Sequence, residues 1–549
     1  MKERKWKNSY ELKEEMRRNG SCEPREERKP RDSCRLREGR KQKGSYELRE
    51  AEDRERKKQE RKQLSRRERR ALKKEEYRQE KQKRARNKEF ARVTYAFVGL
   101  FLALMGYIGY FTVVTSQDII KSPYNPRLDS MADRVVRGKI LDREGNVLAE
   151  TEVAEDGSEY RYYPYGEIFA HVVGYSVQGK SGLESTGNFE LLTSNAFILE
   201  KLKREFQDEK NIGDNVVTTL DVNLQTTAYH ALGDNKGAVI VMEPSTGKIL
   251  TMVSKPSFEP NSVIENWDWL NSDPESILLN RASQGMYAPG STFKIVTALE
   301  YMREHPEDYS AYMYECAGEI SYEDTVIPCA GHNVHGTEDL AGSFANSCNA
   351  SFCNIGMNLD VSGYQSTAEE LLIGSKLPGD FATGKSSFRL EKTDSMADKM
   401  MTAMGQGKTQ VSPYQMALIT ASIANGGYLM RPYLIDSVTN YTGTIVSETT
   451  PEKYADLMTL DESAQLKAYM SDVVNYGTAS VLSGQSYTAA GKTGTAEYSM
   501  ESSDKNHSWF VGFTNIDNPE LVISVIVEES DGGRKAVDVA KEVFDSYYY

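Results

Sequence analysis

Residues 237–253 read Gly-Ala-Val-Ile-Val-Met, then Glu-Pro-Ser-Thr-Gly, then Lys-Ile-Leu-Thr-Met-Val. Two apolar runs joined by a short segment with Pro and Gly predict a β-hairpin. Three more strand-like runs close the chain, at residues 487–497, 508–514 and 521–527, and the residues before them have mainly helical and loop patterns. The sequence therefore predicts an α+β domain over residues 235–549, in which an antiparallel sheet is flanked by helices.

Three short motifs follow the hairpin in a fixed order: Ser-Thr-Phe-Lys at 291–294, Ser-Cys-Asn at 347–349 and Lys-Thr-Gly at 492–494. A serine hydroxyl is a poor nucleophile without an adjacent base, and on a helix the residue three positions later lies on the same face. Lys294 is so placed relative to Ser291. Burial and a second cation, such as Lys492, would favour the deprotonated lysine that a base requires. The motifs indicate an acylating serine hydrolase or transferase without a catalytic histidine.

Two of these patterns also occur elsewhere in the chain. Residues 502–505 read Ser-Ser-Asp-Lys and residues 180–182 read Lys-Ser-Gly. The first is predicted to lie in a polar loop between two strands, and the second precedes every candidate nucleophile. We interpret both as coincidental because neither has the context that the chemistry requires.

Residues 93–117 contain no charged residue and include Phe-Val-Gly-Leu-Phe-Leu-Ala-Leu-Met at 97–105. A helix of about 20 apolar residues crosses a bilayer, so this segment is predicted to be a transmembrane anchor, with a buried core helix as the alternative. The leader before it is long and no small-residue cleavage pattern is evident, which favours an uncleaved anchor over a signal peptide. Dense Lys and Arg just before residue 93 predict a cytoplasmic N-terminus and outward-facing motifs.

The net charge of −13 hides a strong asymmetry. Residues 1–92 carry 36 Lys and Arg against 20 Asp and Glu, whereas the remaining residues carry 32 against 61. Residues 48–92 mix both signs with few apolar residues and no apolar heptad repeat, so the tail is expected to be solvated helix or disorder. Its basic patch at 66–70 could contact anionic lipid or nucleic acid, but a role in topology and solubility is favoured. No nucleic-acid partner is predicted.

The chain has six cysteines. Two lie in the predicted cytoplasmic tail, where thiols stay reduced, while Cys316 and Cys329 lie outward, where a disulfide between them is favoured over two free thiols. Cys348 and Cys353 are expected to be buried small residues rather than metal ligands. No zinc-like spacing of Cys and His is found, so neither a metal nor a cofactor is predicted.

The ordered set Ser-x-x-Lys, Ser-x-Asn and Lys-Thr-Gly is found in penicillin-binding proteins and class A β-lactamases, and this sequence resembles that superfamily. The resemblance extends to Tyr-Ala-Pro-Gly at 287–290 and to Gly-Gln-Gly at 405–407, followed by Val-Ser-Pro-Tyr-Gln-Met-Ala at 411–417. Arg-Gly-Lys-Ile-Leu-Asp-Arg-Glu-Gly-Asn at 137–146 is typical of class B members just outside the membrane. The resemblance covers residues 118–549.

The resemblance implies a catalytic role for five motif residues. Ser291 would attack the carbonyl of a terminal D-Ala-D-Ala bond, and Lys294 would take its proton. Ser347 with Lys492 would relay a proton to the departing D-alanine. Asn349 would orient Lys294 and the substrate amide.

The resemblance also implies a substrate-binding role for Thr493, Gly494 and Thr495. The two threonine hydroxyls would hold the substrate carboxylate. The backbone N–H groups of Ser291 and Thr495 would form the oxyanion hole, which stabilises the charge of the transition state.

The fate of the acyl-enzyme distinguishes hydrolysis from cross-linking. Class A β-lactamases use a glutamate in a Glu-x-x-x-Asn pattern between the second and third motifs, and no glutamate in that interval has Asn four residues later. We therefore expect a class B D,D-transpeptidase that cross-links peptidoglycan and is acylated by β-lactams. The alternatives are a D,D-carboxypeptidase or a β-lactamase of another class. A β-lactam receptor is less favoured, because the tail shows no effector motif or folded core.

Residues 118–234 contain short strand-like pieces and no nucleophile motif, which predicts a small, mostly-β pedestal. This segment is too small for the glycosyltransferase domain of class A members. The resemblance implies a multipass glycan polymerase as partner, contacted through the membrane helix and the pedestal, and stem peptides ending in D-Ala-D-Ala as substrate. The expected protein is anchored once in the cell membrane, with a cytoplasmic N-terminus and an extracytoplasmic catalytic domain.

Overall fold

The computed structural model describes residues 32–115, 130–499, 502–530 and 533–549. Contacts within the chain separate a first unit, which ends at Phe111, from a second unit, which runs from Thr112 to Tyr549. The first 31 residues of the predicted tail, and the last two of the predicted membrane segment, lie outside the described residues.

The first unit is helical. Helix α1 spans Asp32–Gln63 and helix α2 spans Arg66–Tyr110. A π-helical turn at Phe111–Thr115 starts at the last residue of this unit and continues into the second. None of the side chains of α2 is buried, and its apolar second half is long and apolar enough to cross a membrane by length and composition. The described part of the tail from Leu48 to Arg92 is thus solvated helix, one of the two states predicted for it.

The second unit begins with a region of short elements. The strands are β1 Val135–Val136, β2 Ile140–Leu141, β3 Val147–Val153, β4 Glu159–Tyr162, β5 Asn211–Ile212 and β6 Asn215–Thr218. The helices are a 3₁₀ turn at Gly166–Ile168, α3 Ala170–Val173, α4 Gly182–Thr186, α5 Asn188–Leu191, α6 Ile198–Phe206 and α7 Val222–Ala231.

The remaining residues supply most of the core. The strands are β7 Gly237–Met242, β8 Ile249–Lys255, β9 Met313–Cys316, β10 Glu319–Tyr322, β11 Thr325–Pro328, β12 Gly336–Asp339, β13 Tyr428–Met430, β14 Ile435–Thr439, β15 Ile445–Glu448, β16 Lys453–Asp456, β17 Ala489–Ser499, β18 Ser502–Thr514 and β19 Val522–Val527. The α-helices are α8 Val263–Ser272, α9 Arg281–Gln284, α10 Lys294–Glu304, α11 Leu340–Ala345, α12 Asn349–Asn358, α13 Val361–Glu370, α14 Met396–Ala403, α15 Pro413–Ala424, α16 Leu460–Asn475 and α17 Ala536–Tyr548. Single 3₁₀ turns lie at Pro260–Ser262, Gly290–Phe293, Tyr309–Ala311, Ala330–His332 and Ser480–Leu482.

The central sheet has five antiparallel strands in the order β17, β18, β19, β7, β8. Strands β7 and β19 are buried at every position, because α15 packs against them from one side while α17 packs against β18 and β19. Two covered faces explain why these strands are continuous apolar runs rather than alternating ones. The predicted α+β arrangement is confirmed.

Strand β18 extends back to Ser502, because pairing with β17 continues to that position. The expectation that Ser502 lies in a loop is therefore wrong.

The expectation of a mostly-β pedestal is wrong. Helices cover more of residues 130–234 than strands do, and the sheet of this region is completed from elsewhere. Its six strands run in the order β15, β14, β6, β2, β3, β4. Strands β14 and β15 come from residues 435–448, within the stretch predicted to be catalytic. Pairing of β14 with β6 joins residues over 200 positions apart, which local periodicity cannot reveal.

A buried ion group holds the pedestal region together. The Glu184 carboxylate accepts hydrogen bonds from Arg137 Nε at 2.5 Å and from Arg161 Nε at 2.6 Å, and Arg137 also donates to the Asn188 side-chain oxygen at 2.5 Å. Glu184 has no exposed surface. Burial by itself would raise the pKa of the Glu184 carboxyl, but the two guanidinium groups outweigh it and hold the pKa below its usual value. The group is therefore ionised at neutral pH and depends on both arginines.

We predict that Glu184→Gln lowers the free energy of unfolding by about 3–5 kcal/mol, because it leaves two buried guanidinium groups without a counter-charge. Glu150→Gln is the matched control. Its carboxylate pairs with Lys139 at 2.7 Å, but both side chains are partly exposed, so its loss should cost less than about 1 kcal/mol. Urea unfolding of the full chain in detergent measures both, and equal losses would contradict the prediction.

Candidate active site

Ser291 lies in the 3₁₀ turn Gly290–Phe293, which leads directly into α10. Gly290 has a positive φ of 54°, and its N–H donates to the Gly405 carbonyl at 2.9 Å. A Cβ at Gly290 would lie 2.5 Å from the Thr495 carbonyl oxygen, so only glycine allows the turn to approach that strand. Ser291 is half-buried, and its Oγ makes no hydrogen bond to another described residue. The hydroxyl is therefore free to meet a substrate.

Lys294 is fully buried one turn beyond Ser291. Its Nζ donates to the Ser347 carbonyl at 2.7 Å and to Asn349 Oδ1 at 2.8 Å, and lies 3.3 Å from Ser347 Oγ. Burial lowers the pKa of the Lys294 amine to about 8. A lysine with this pKa is partly neutral near physiological pH and can accept a proton.

Ser347 links the first and second motifs through an unusual backbone conformation. Its φ is +56°, in the left-handed region that few residues other than glycine adopt. The conformation is maintained by hydrogen bonds from Ser347 N to the Phe344 carbonyl at 3.2 Å and from Cys348 N to the Ser343 carbonyl at 2.9 Å. The next residue, Cys348, caps α12, so Asn349 begins that helix. This strained turn directs the Ser347 carbonyl toward Lys294, and strain of this kind is concentrated at functional sites.

Lys492 reaches the same hydroxyl from the central sheet. Its Nζ donates to Ser347 Oγ at 3.0 Å and to the Thr493 carbonyl at 3.1 Å. Burial lowers the pKa of Lys492 well below its ordinary value, and the nearby Lys294 charge lowers it further. The Ser347 hydroxyl thus lies between two amines, both with lowered pKa values, and can pass a proton between them.

The third motif lies on β17, the edge strand of the central sheet. Thr493 Oγ1 shares a hydrogen bond with Thr478 Oγ1 at 2.5 Å. A Cβ at Gly494 would lie 3.0 Å from the Thr292 methyl group, so the glycine lets the strand approach the turn that carries the nucleophile. Thr495 is exposed, and its carbonyl accepts a hydrogen bond from Gln406 Nε2 at 3.3 Å.

The structure therefore brings all eight predicted site residues to one place. Lys294, Ser347, Asn349 and Lys492 form one hydrogen-bonded group, and the strand with Thr493, Gly494 and Thr495 lies against the turn that carries Ser291. Ser291 and Lys294 themselves are not joined by a hydrogen bond between their described side chains. Such a bond often forms only when substrate is present.

A supporting group that the sequence did not indicate fixes the segment before Ser291. Glu528 accepts hydrogen bonds from Tyr287 Oη at 2.6 Å and from Arg281 Nε at 2.9 Å. Trp509 Nε1 donates to the Ala288 carbonyl at 3.1 Å. Arg281 and Glu528 lie 247 positions apart in the chain. No short motif could have shown this pairing, because only the sheet brings the two segments together.

The predicted disulfide is not formed. Cys316 and Cys329 are both free thiols, with their Sγ atoms 3.6 Å apart, far beyond the S–S bond of about 2.05 Å. They lie instead in a cluster with Cys348 and His335, four groups that could hold a metal ion. Cys353 is buried outside this cluster, near Met400 and Met404, as a small core residue. The cluster is not apparent in the sequence because its members are widely spaced and His335 belongs to no motif.

Two families match the chain. Residues 237–547 match the penicillin binding protein transpeptidase domain, and residues 137–216 match the penicillin binding protein A dimerisation domain. The first match covers more than half of the chain and includes all eight residues described above.

Individual proteins are also similar. The peptidoglycan D,D-transpeptidase PbpA of Mycolicibacterium smegmatis is 29% identical over 475 residues, which cover 81% of this chain and 94% of that protein. The crystal structure of PBPA from Mycobacterium tuberculosis has a TM-score of 0.69 and 27% identity, covering 75% of this chain and 99% of that chain. Its penicillin G acyl-enzyme complex has a TM-score of 0.68 and 27% identity, covering 75% and 99%.

Gly405 offers a test of the packing around the nucleophile turn. A Cβ at Gly405 would lie 1.9 Å from the Gly290 carbonyl oxygen, whereas one at Gly407 would have no atom nearer than 3.7 Å. Both glycines have a φ of +81°, so alanine at either position carries the same backbone strain of about 1–2 kcal/mol. We predict that Gly405→Ala lowers the melting temperature of the full chain by several degrees more than Gly407→Ala. Equal melting temperatures would contradict the close approach.

Proposed function

The chain belongs to the penicillin-binding protein transpeptidase family, and we propose how its own residues carry out peptidoglycan D,D-transpeptidation. The proposal rests on the position of the Ser347 hydroxyl. It lies within hydrogen-bond distance of both Lys294 and Lys492, beside the turn that bears Ser291. The chain is a class B penicillin-binding protein, a serine D-Ala-D-Ala transpeptidase that β-lactams inhibit.

Acylation begins with Ser291. Its Oγ attacks the carbonyl of the penultimate D-alanine of a stem peptide while the neutral Lys294 amine removes the hydroxyl proton. The C–N bond to the terminal D-alanine then breaks. Lys492 and Ser347 pass a proton to the departing amine. The proton that Lys294 took from Ser291 then replaces the one that Lys492 and Ser347 gave up. The products are free D-alanine and an ester on Ser291.

Deacylation reverses these roles with a new amine. The amine of a second stem peptide attacks the ester carbonyl, its excess proton passes through Lys492 and Ser347 to Lys294, and Lys294 gives this proton to Ser291 Oγ as the ester C–O bond breaks. A new amide bond, the cross-link, forms and the serine is regenerated. Asn349 orients Lys294 through the hydrogen bond to its Oδ1.

Substrate recognition is assigned to the edge strand β17. An edge strand has unpaired N–H and C=O groups on one side, and an extended peptide can pair with them. The exposed Thr495 and half-buried Thr493 lie on the same side of that strand, where their hydroxyls bind the substrate carboxylate. Gly494 lies on the opposite side and supports this binding by letting the strand approach Thr292. The backbone N–H groups of Ser291 and Thr495 form the oxyanion hole. The approach of Gly290 to the Thr495 main chain supports this assignment.

The first unit is proposed to anchor the enzyme. The apolar half of α2 crosses the cell membrane once, with the basic tail in the cytoplasm and the second unit outside, as the distribution of Lys and Arg favours. The domains are proposed as tail 1–92, anchor 93–117, pedestal 118–234 and transpeptidase 235–549. A multipass glycan polymerase is the proposed partner, bound through the anchor and the pedestal.

We predict that penicillin G adds its mass once to the full chain in detergent and that Ser291→Ala abolishes this adduct. Intact-mass spectrometry with peptide mapping measures it. The matched control is Ser502→Ala, because Ser502 begins another Ser-x-x-Lys sequence and lies on β18, so its adduct should equal that of the wild type. An adduct that persists in Ser291→Ala, or is lost in Ser502→Ala, would refute the nucleophile assignment.

We predict that the acylation rate rises with pH. Since Lys294 acts in its neutral form and its pKa is lowered to about 8, the rate constant should rise about tenfold per pH unit below that value and level off above it. Stopped-flow or quenched labelling with penicillin G between pH 5.5 and 9 gives the profile. Lys294→Arg should lose at least about 100-fold at every pH, because a guanidinium cannot be deprotonated in a protein. A flat or falling wild-type profile would contradict the role of Lys294.

Incubation with a stem peptide that ends in D-Ala-D-Ala, together with an amine acceptor, tests the reaction itself. A cross-linked product is expected, and it requires Ser291. Release of D-alanine into water without any cross-link would show a carboxypeptidase instead.

A further inference from the structure

Four potential metal ligands converge behind the second motif. Cys316 ends β9, Cys329 follows β11, His335 precedes β12 and Cys348 caps α12. Their ligand atoms, three Sγ atoms and a ring nitrogen, all lie within 4.8 Å of one another. The three cysteines are buried, with at most 2% of their surface exposed.

The separations between these atoms match a tetrahedral zinc site. Zn–S bonds of about 2.3 Å and Zn–N bonds of about 2.1 Å at tetrahedral angles place two sulfurs about 3.8 Å apart and a sulfur and a nitrogen about 3.6 Å apart. The observed distances are 3.6 Å for Cys316 to Cys329, 3.8 Å for Cys329 to Cys348 and 3.4 Å for Cys316 to His335 Nδ1. Side chains that are already this close need little movement to enclose an ion.

We propose that Cys316, Cys329, Cys348 and His335 bind one Zn²⁺ ion in a closed structural site. Three cysteines and one histidine are a standard donor set for structural zinc, which takes four protein ligands and leaves no open position. A disulfide would use only two of the three thiols. The proposal replaces the expectation, drawn from sequence spacing, that the chain binds no metal.

Neighbouring groups suit a negatively charged zinc site. Three thiolates and Zn²⁺ carry a net charge of −1. Two backbone N–H groups point at sulfur: Gly318 N lies 3.4 Å from Cys316 Sγ, and Ser351 N lies 3.4 Å from Cys348 Sγ. Such N–H to sulfur hydrogen bonds orient metal ligands and disperse their charge.

The proposed site would position the catalytic group without touching the substrate. Cys348 lies between Ser347 and Asn349, both of which bind Lys294. Cys316 and Cys329 belong to the β9–β12 segment, and Asn349 Nδ2 also donates to the Pro328 carbonyl of that segment at 3.0 Å. Zinc would therefore tie the β9–β12 segment to the start of α12 and hold the strained Ser347 turn in place. This inference does not depend on the proposed function, because it rests on the ligand geometry alone.

Metal analysis of the full chain, purified in detergent without chelators or reducing agents, tests the proposal. We expect about one zinc per chain by elemental mass spectrometry. After chelation and dialysis, added Zn²⁺ should rebind, and Co²⁺ should give the intense visible bands of tetrahedral thiolate coordination. Cys329→Ser and His335→Ala should each reduce the zinc content to about a tenth or less. Cys353→Ser, which alters a buried cysteine outside the cluster, should keep it.

Each result has a defined meaning. A chain that holds no zinc and takes up neither Zn²⁺ nor Co²⁺ overturns the proposal, as does peptide mapping that finds a Cys316–Cys329 disulfide in the purified protein. Zinc that survives in both Cys329→Ser and His335→Ala overturns the ligand assignment. Because a cysteine variant can fail to fold, melting temperatures are compared with wild type, and the Co²⁺ spectrum of the wild type stands independently of the variants. Penicillin labelling is measured separately, so its failure cannot be confused with loss of zinc.

Discussion

The buried amine of Lys294 is the point on which the active site depends. Burying an amine is unfavourable unless its hydrogen bonds are satisfied, and here the Ser347 carbonyl and Asn349 Oδ1 provide the partners. These contacts join the start of α10 to the turn before α12, over 50 residues away in the chain. The same burial that makes the partners necessary also lowers the pKa of Lys294 to about 8. One physical constraint thus both fixes the geometry of the site and prepares its base.

The central sheet supplies the second half of the site. Strand β17 is the edge of the sheet, so one side of it pairs with β18 while the other faces the nucleophile turn. Lys492 enters the buried group from this strand, and small residues, Gly290 and Gly494, allow strand and turn to approach closely. An edge strand beside a nucleophile provides both a surface for an extended peptide and a wall of the catalytic centre.

Three thiols and an imidazole, from Cys316, Cys329, Cys348 and His335, form a cluster behind the site. Cys348 lies next to Ser347, so the proposed Zn²⁺ ion would tie the strained turn to the β9–β12 segment. In the pedestal region a different device, the pairing of Glu184 with two arginines, serves a comparable purpose far from any motif. In both places a cluster of buried side chains joins segments that are distant in sequence.

Three features could be predicted from the sequence alone: the order of the three motifs, the apolar runs of β7 and β19, and the basic leader with its apolar helix. Each is a local pattern of periodicity, spacing or composition. It also placed Ser291, Lys294 and Lys492 in one reaction scheme through resemblance. Other features became visible only in the folded protein: β14 completes the pedestal sheet, Glu528 accepts a hydrogen bond from Tyr287, and Cys316 and Cys329 remain free thiols close to His335. These contacts join residues that are far apart in the sequence and follow no periodic spacing, so only folding brings them together.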